Sequence, residues 1–115
     1  MIVIQISYAH APGGWFDMDY YAQQHLPMVL ARVADQPGLL GVTVEADAGG
    51  EAPGSQAPEA AICRFTYTSR AAFDAAFAPH WAEIEADVPN YTNLAPVLAY
   101  YAPVSLPVAE RTSKS

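Results

Sequence analysis

Ile2, Ile4, Ile6 and Tyr8 alternate with Val3, Gln5 and Ser7, and this period of two predicts a first strand. Ala11-Pro12-Gly13-Gly14 breaks the pattern. From about Asp17 to Val33 the period becomes helical, with Leu26, Val29, Leu30 and Val33 on one stripe. Asp17 suits the N-cap of that helix, and Asp19 favours the positive end of its dipole. Pro27 lacks an N–H, and its ring presses on the carbonyl of Gln23, so a kink is expected just after His25. Gln36-Pro37-Gly38 ends the segment, and Leu39 to Glu45 alternates again as a second strand. Ala46 to Pro58 holds three glycines and two prolines and predicts a loose hairpin loop. Ala60 to Tyr67 follows as a third strand. Ser69 is a good cap for a second helix, which carries Phe73, Phe77, Trp81, Ile84 and Val88 on or near one face. Pro79 kinks it and Pro89-Asn90 closes it. Leu94 to Ala102 predicts a fourth strand. Val104 to Ser115 then turns polar, as a tail or an arm laid on a partner.

The order βαββαβ is the ferredoxin-like arrangement. It is an α+β fold, with a four-stranded antiparallel sheet and two helices on one face. The domain is expected to span residues 1–103, with the tail over 104–115. Strands one and four carry apolar or neutral residues on both sides, as Ile4 and Val3 or Leu98 and Val97 show. A solvent-facing sheet would be more polar. Two such sheets packed face to face would make a dimeric α+β barrel.

Composition sharpens this. At 115 residues the chain makes one domain, yet 52% of it is hydrophobic and only 15% charged, against an ordinary charged fraction of about 25%. A domain this small leaves about a third of its unfolded-chain surface exposed, so a second copy of the chain is the expected cover, as a homodimer. Twelve acids face five bases, for a net charge of −7. With Arg111 and Lys114 near the C-terminus, only Arg32, Arg64 and Arg70 remain in the body. No basic stripe is available for a phosphate backbone or an anionic membrane, so neither nucleic acid nor membrane is an expected partner. The lone Cys63 needs no oxidising compartment, and MIVIQISYAH lacks the charged start of a leader, which points to the cytoplasm.

Chemistry concentrates in Trp15 to Pro27. Tyr21 and His25 are four residues apart and share a helix face. A kink at Pro27 would open a polar, aromatic pocket beside an imidazole near its neutral titration range. His25 could then act as acid or base, oriented by Tyr21 or by a backbone carbonyl. A satisfied core histidine among core tyrosines explains the same spacing. Phe77-Ala78-Pro79-His80-Trp81 and Asp87-Val88-Pro89-Asn90-Tyr91 form a second cluster, in which Asn90 and Tyr91 either reach a pocket mouth or only make a turn. His10, His25 and His80 are spread out, with no H-x-x-x-H or CxxC pattern, so no metal site is expected. G-x-G-x-x-G, P-loop and G-x-S-x-G motifs are absent. A haem ligated by His25 is a weaker alternative.

The run F-D-M-D-Y-Y-A-Q-Q-H-L-P at Phe16 to Pro27, together with A-F-A-P-H-W-A-E-I-E-A-D-V-P-N-Y-T-N at Ala76 to Asn93, resembles the EthD-like family of small dimeric α+β barrel proteins. The resemblance covers Met1 to about Pro103, and Tyr21, His25 and Pro27 match its motif directly. It implies a homodimer with sheets face to face and a cavity for a small apolar or aromatic molecule between sheet and helices. It also implies a kinship with barrel oxygenases, isomerases and polyketide cyclases, many of which use no metal. The expected function is therefore a cofactor-independent enzyme acting by acid/base chemistry on a small hydrophobic, aromatic or polyketide-like molecule. His25 would be the acid/base and Tyr21 its partner, with Tyr8, Trp15, Phe65, Tyr67, Trp81 and Tyr91 lining the cavity. A non-catalytic protein that binds a hydrophobic metabolite is the alternative.

Overall fold

The computed structural model describes residues 1–108. It begins with β1 (Ile2–Ala9), followed by a first helical layer of α1 (Met18–Tyr20), a π-helical turn (Tyr21–His25) and α2 (Leu26–Val33). Next come β2 (Leu39–Ala46) and β3 (Glu59–Tyr67). The second helical layer is α3 (Arg70–Phe77), a 3-10 turn (Ala78–His80), α4 (Trp81–Asp87) and a further 3-10 turn (Val88–Asn90), and β4 (Pro96–Tyr101) completes the fold. The four strands form one sheet in the order β2-β3-β1-β4, with every neighbouring pair antiparallel. This is the ferredoxin-like α+β fold that the order of elements predicts.

Register decides which side chains face the helices. Ile4 sits opposite Phe65 and Tyr100, and Ile6 opposite Cys63 and Leu98. Alternation then sends Ile4, Ile6, Tyr8, Cys63, Phe65 and Tyr67 to one face. There Ile4, Cys63, Phe65 and Tyr67 are fully buried in a single core with Val29 and Val33 of α2, Phe73 and Phe77 of α3, and Ile84 of α4. Both helical layers therefore cover the same side of the sheet. The opposite face carries Val3, Ile62, Val97, Ala99 and Tyr101 beside Gln5 and Arg64, and Val97 and Tyr101 are more than half exposed, at 56% and 53%.

At Pro27, where a kink is expected, the first layer departs from regular α-helix. The chain takes one wide turn, in which the Leu26 N–H reaches the Tyr21 carbonyl five residues back. A π turn holds one residue more than an α turn of the same rise, which gives the proline ring room against the preceding carbonyls without breaking the helix. Ser69 caps α3 as expected, its hydroxyl accepting from the Ala72 N–H at 3.1 Å. Pro79 is absorbed by the tighter 3-10 turn that joins α3 to α4. β4 starts at Pro96 rather than Leu94, because the Leu94 N–H is taken by the Thr92 hydroxyl at 3.0 Å and does not join the ladder.

The 47–58 loop is less loose than its glycines suggest. One carboxylate oxygen of Asp47 accepts the N–H groups of Gly49 and Ala57, at 2.8 and 3.0 Å, and ties both ends of the loop together. Residues 102–108 have no regular structure and carry Val104, Leu106 and Val108 in the open, so this part of the expected polar tail is apolar. The rest of that tail lies outside the described residues. Among the described residues, no helix is long and apolar enough to cross a membrane.

Candidate active site

The π turn is where the chemistry gathers. Asp17 caps α1 by accepting the Tyr20 N–H at 3.0 Å, which fixes the start of the layer. The wide turn then lays the Tyr21 ring flat against the His25 imidazole, with centroids 5.5 Å apart and planes 15° apart. Both side chains are buried, His25 to 3% exposure.

Beside the stacked Tyr21, the imidazole is held by a residue that the sequence did not suggest, Asp87 at the end of α4. Its Nδ1 lies 2.9 Å from Asp87 Oδ2. The other oxygen of that carboxylate accepts from the Tyr20 hydroxyl at 2.8 Å and from the Asn90 side-chain amide at 2.9 Å. Burial raises the Asp87 carboxyl, but the hydrogen bonds from Asn90, His25 and Tyr20 outweigh it and hold the group below the ordinary carboxylate range. An ionised Asp87 needs a donor, so the neutral imidazole carries its proton on Nδ1 and keeps a lone pair on Nε2. Burial lowers the His25 pKa, and the bond and charge of Asp87 only partly restore it. At neutral pH the imidazole is a base.

The lone pair faces phenols. Tyr91 Oη is 3.4 Å from His25 Nε2, and Tyr8 Oη is 2.6 Å from Tyr91 Oη. With Nε2 accepting, Tyr91 donates to His25 and Tyr8 donates to Tyr91. Burial pushes the pKa of Tyr8, Tyr21 and Tyr91 upward, so all three stay protonated and able to donate. Burial likewise pushes the Cys63 thiol beneath them up to about 11, which makes it inert. This chain of hydrogen bonds borders a cavity of about 60 Å³, walled otherwise by Glu85 and by apolar side chains that include Leu26, Val29, Phe77, Ile84 and Leu98.

The cavity brings together most of the residues that sequence singles out: Tyr8, Tyr21, His25, Phe65, Trp81 and Tyr91 all line it. Trp15 and Tyr67 stand apart. The chain is extended where Phe16 bridges to Thr92, so Phe16 turns inward and its neighbour Trp15 turns out, 47% exposed. Tyr67 lies at the far end of β3, packed edge-on against Phe73 and Phe77 with centroids 5.6 and 6.2 Å away. Its buried hydroxyl has no partner among the described residues.

The residues that sequence reasoning missed are Asp87 and Tyr20, and Asn90 in its role as a bridge to the carboxylate. The acid and amide three apart in Asp87-Val88-Pro89-Asn90, just before Tyr91, were the available signal. A haem does not fit this site. Both imidazole nitrogens of His25 face protein partners, and the space beside them is a small fraction of a haem's volume. Among the described residues, no three His, Cys, Asp or Glu side chains converge on one point.

The matches with known proteins follow the same residues. The EthD domain matches residues 16–95. The crystal structure of an EthD-like protein from Ralstonia eutropha JMP134 is 38% identical, with a TM-score of 0.79 over 87% of this chain and 88% of that one. An EthD family protein from Bacillus halodurans C-125 is 14% identical, with a TM-score of 0.61 over 90% of this chain and 99% of that one. SnoaB of Streptomyces nogalater, described as a cofactor-independent oxygenase, is 18% identical, with a TM-score of 0.55 over 93% of this chain and 95% of that one. These last two share the fold. No protein of curated function matches. The stretch from Phe16 to Ala95 holds both helical layers and every member of the network except Tyr8, and with the identity to the Ralstonia protein it establishes that this chain belongs to the EthD family.

Proposed function

We propose that the cavity binds a small hydrophobic, aromatic or polyketide-like molecule and that His25 performs acid/base chemistry on it without a cofactor, in the manner of an oxygenase, cyclase or isomerase. The observation that carries this reading is the Asp87–His25–Tyr91–Tyr8 chain, which leads from a partly exposed carboxylate to an apolar cavity. Its geometry supports removal of an acidic C–H or O–H proton. The proton reaches Nε2, directly or through the Tyr91 phenol, and Asp87 stabilises the imidazolium that forms. Tyr21, stacked on the imidazole, keeps the ring in plane with that path. The mostly apolar walls strengthen each of these interactions. The shared fold with SnoaB is in keeping with chemistry that uses no cofactor.

The test is turnover of a panel of phenolic and polyketide-like compounds by the native protein and by His25→Gln. Loss of turnover in a folded variant is expected. Saturable binding with no product from either protein would replace the enzyme with a binding protein.

The protein is further read as a cytoplasmic homodimer joined through the outer sheet face. That face is apolar around Val3, Ile62, Val97 and Tyr101, and its Arg64 is already neutralised by Glu45, so two copies can meet there despite the net charge of −7. Sedimentation equilibrium should give the mass of two chains at micromolar concentration, and a stable monomer would refute the dimer.

A further inference from the structure

The exposure of its lining residues shows where the cavity opens. Among them only Glu85 of α4 and Pro96 and Leu98 of β4 are exposed, so these three mark its mouth. His25, Tyr91 and Tyr8 are buried at its deep end. At about 60 Å³ the space is well below the 300–1,000 Å³ of ordinary small-molecule sites. A substituted ring that reaches His25 therefore brings its outer end to the mouth, beside Glu85.

Glu85 stands where the helix pattern calls for an apolar residue. Trp81, Ile84, Glu85 and Val88 follow the i, i+3, i+4, i+7 spacing of one helix face, and all four line the cavity. The other acids of α4 are engaged. Glu83 receives two bonds from Arg32, at 2.9 and 3.0 Å, and Asp87 holds His25. Glu85 has no ion pair among the described residues. An unpartnered acid on an inward stripe gives the fold nothing, and such breaks of a local rule are expected at functional positions.

Charge around the cavity is one-sided. Neither Lys nor Arg lines it. Arg32 is taken by Glu83, Arg64 by Glu45, and Arg70 by Asp74 and the Tyr100 ring, so each of these cations already has a partner. At the deep end His25 is neutral and backed by the ionised Asp87. A carboxylate on the ligand would meet negative charge at either end and no counter-ion.

We propose that Glu85 sets the class of ligand that the cavity takes. That class is a neutral aromatic molecule whose outer end donates a hydrogen bond to the Glu85 carboxylate, as an amide does. The matching ligand that ends in a carboxylate is rejected by like charge. This assignment deepens the reading of the cavity as a ligand site and rests on it, but its test needs no turnover.

The probes are 4-hydroxybenzamide and 4-hydroxybenzoate, which differ in charge at the end opposite the phenol. Binding near neutral pH is read by NMR from the Trp81 indole N–H, since Trp81 lines the cavity and the other tryptophan, Trp15, does not. The native protein should bind the amide about tenfold more tightly than the benzoate. Glu85→Gln should bring the two within about twofold, chiefly by strengthening the benzoate. Glu83→Gln removes the same charge two residues away, where it faces Arg32, and should leave the native ratio in place. Equal affinities in the native protein, or an unchanged ratio in Glu85→Gln, would overturn the role of Glu85 and leave the cavity standing. So would an equal loss of selectivity in Glu83→Gln. No movement of the Trp81 signal with either probe would overturn the ligand-site reading and this assignment with it.

Discussion

Phe77→Ala should lower the free energy of unfolding by about 3–5 kcal/mol, a large share of the 5–15 kcal/mol that holds a domain of this kind together. Phe77 is fully buried at the last position of α3, with its ring centroid 4.5 Å from that of Phe73, 5.1 Å from Trp81 and 5.2 Å from Phe65. It thus joins both parts of the second helical layer to β3. Truncation removes these contacts, and the one with Tyr67, at once. The walls left behind are poorly able to collapse, because each is pinned by its own aromatic neighbours and one side already borders a cavity. Urea titration measures the effect, and a loss below about 1 kcal/mol would show that the aromatic cluster is not the centre of the core.

Asp87→Asn should disable the site while leaving the fold intact. The amide cannot supply the charge that stabilises a protonated His25, and by presenting its NH₂ group it can move the imidazole proton from Nδ1 to Nε2. Either change removes the base from the cavity. Turnover should then fall about 10²–10⁴-fold, the usual contribution of a positioned acid or base. The ¹⁵N shifts of the imidazole should report the changed tautomer.

Stability follows the same residues. The His25 pKa is lowered in the folded protein, so the unfolded chain takes up that proton first, and stability is lost as pH falls through the ordinary histidine value of 6.5. The Asp87 pKa is also lowered. Its contribution is present above the ordinary carboxylate value of 3.8 and is lost as pH falls through the folded value. The urea midpoint of the native protein should therefore drop between about pH 7.5 and pH 5 because of His25, and drop further in stronger acid because of Asp87. In Asp87→Asn the first drop should deepen, since burial then acts on His25 with no carboxylate to oppose it. The second should shrink. Parallel curves for the two proteins would mean that Asp87 and His25 do not interact.

The parts of this molecule that were legible in the sequence are those set by short-range periodicity. Ile2 to Tyr8 alternates because alternate residues meet the core, and Ser69 announces α3 because its hydroxyl satisfies an orphan N–H. His25 also stood out, as one imidazole on an apolar helix stripe. Its partner did not, because Asp87 lies 62 residues away and only the packing of α4 against the π turn brings them together. The π turn itself was hidden. Pro27 signals that regular helix must yield, but not that it yields as a π turn. Trp15 and Phe16 show the limit most plainly. Neighbours of similar aromatic character face opposite ways because of a bridge to Thr92, and no local pattern distinguishes them.

The wide turn at Tyr21–His25 also makes the site sensitive to chain length in a way that point substitutions do not reveal. It stores one residue beyond the α-helical count. Deleting any residue from Ala22 to Gln24 would let the turn close into ordinary α-helix, so the deletion would be absorbed locally and the segments on either side would keep their relative orientation. The change would fall on the turn itself: Tyr21 and His25 would stand three residues apart on an α-helix instead of four on a π turn, and the parallel stacking of their rings would be lost. A variant shortened by one residue here should therefore retain the helix content and core of its parent while the imidazole loses its aromatic neighbour.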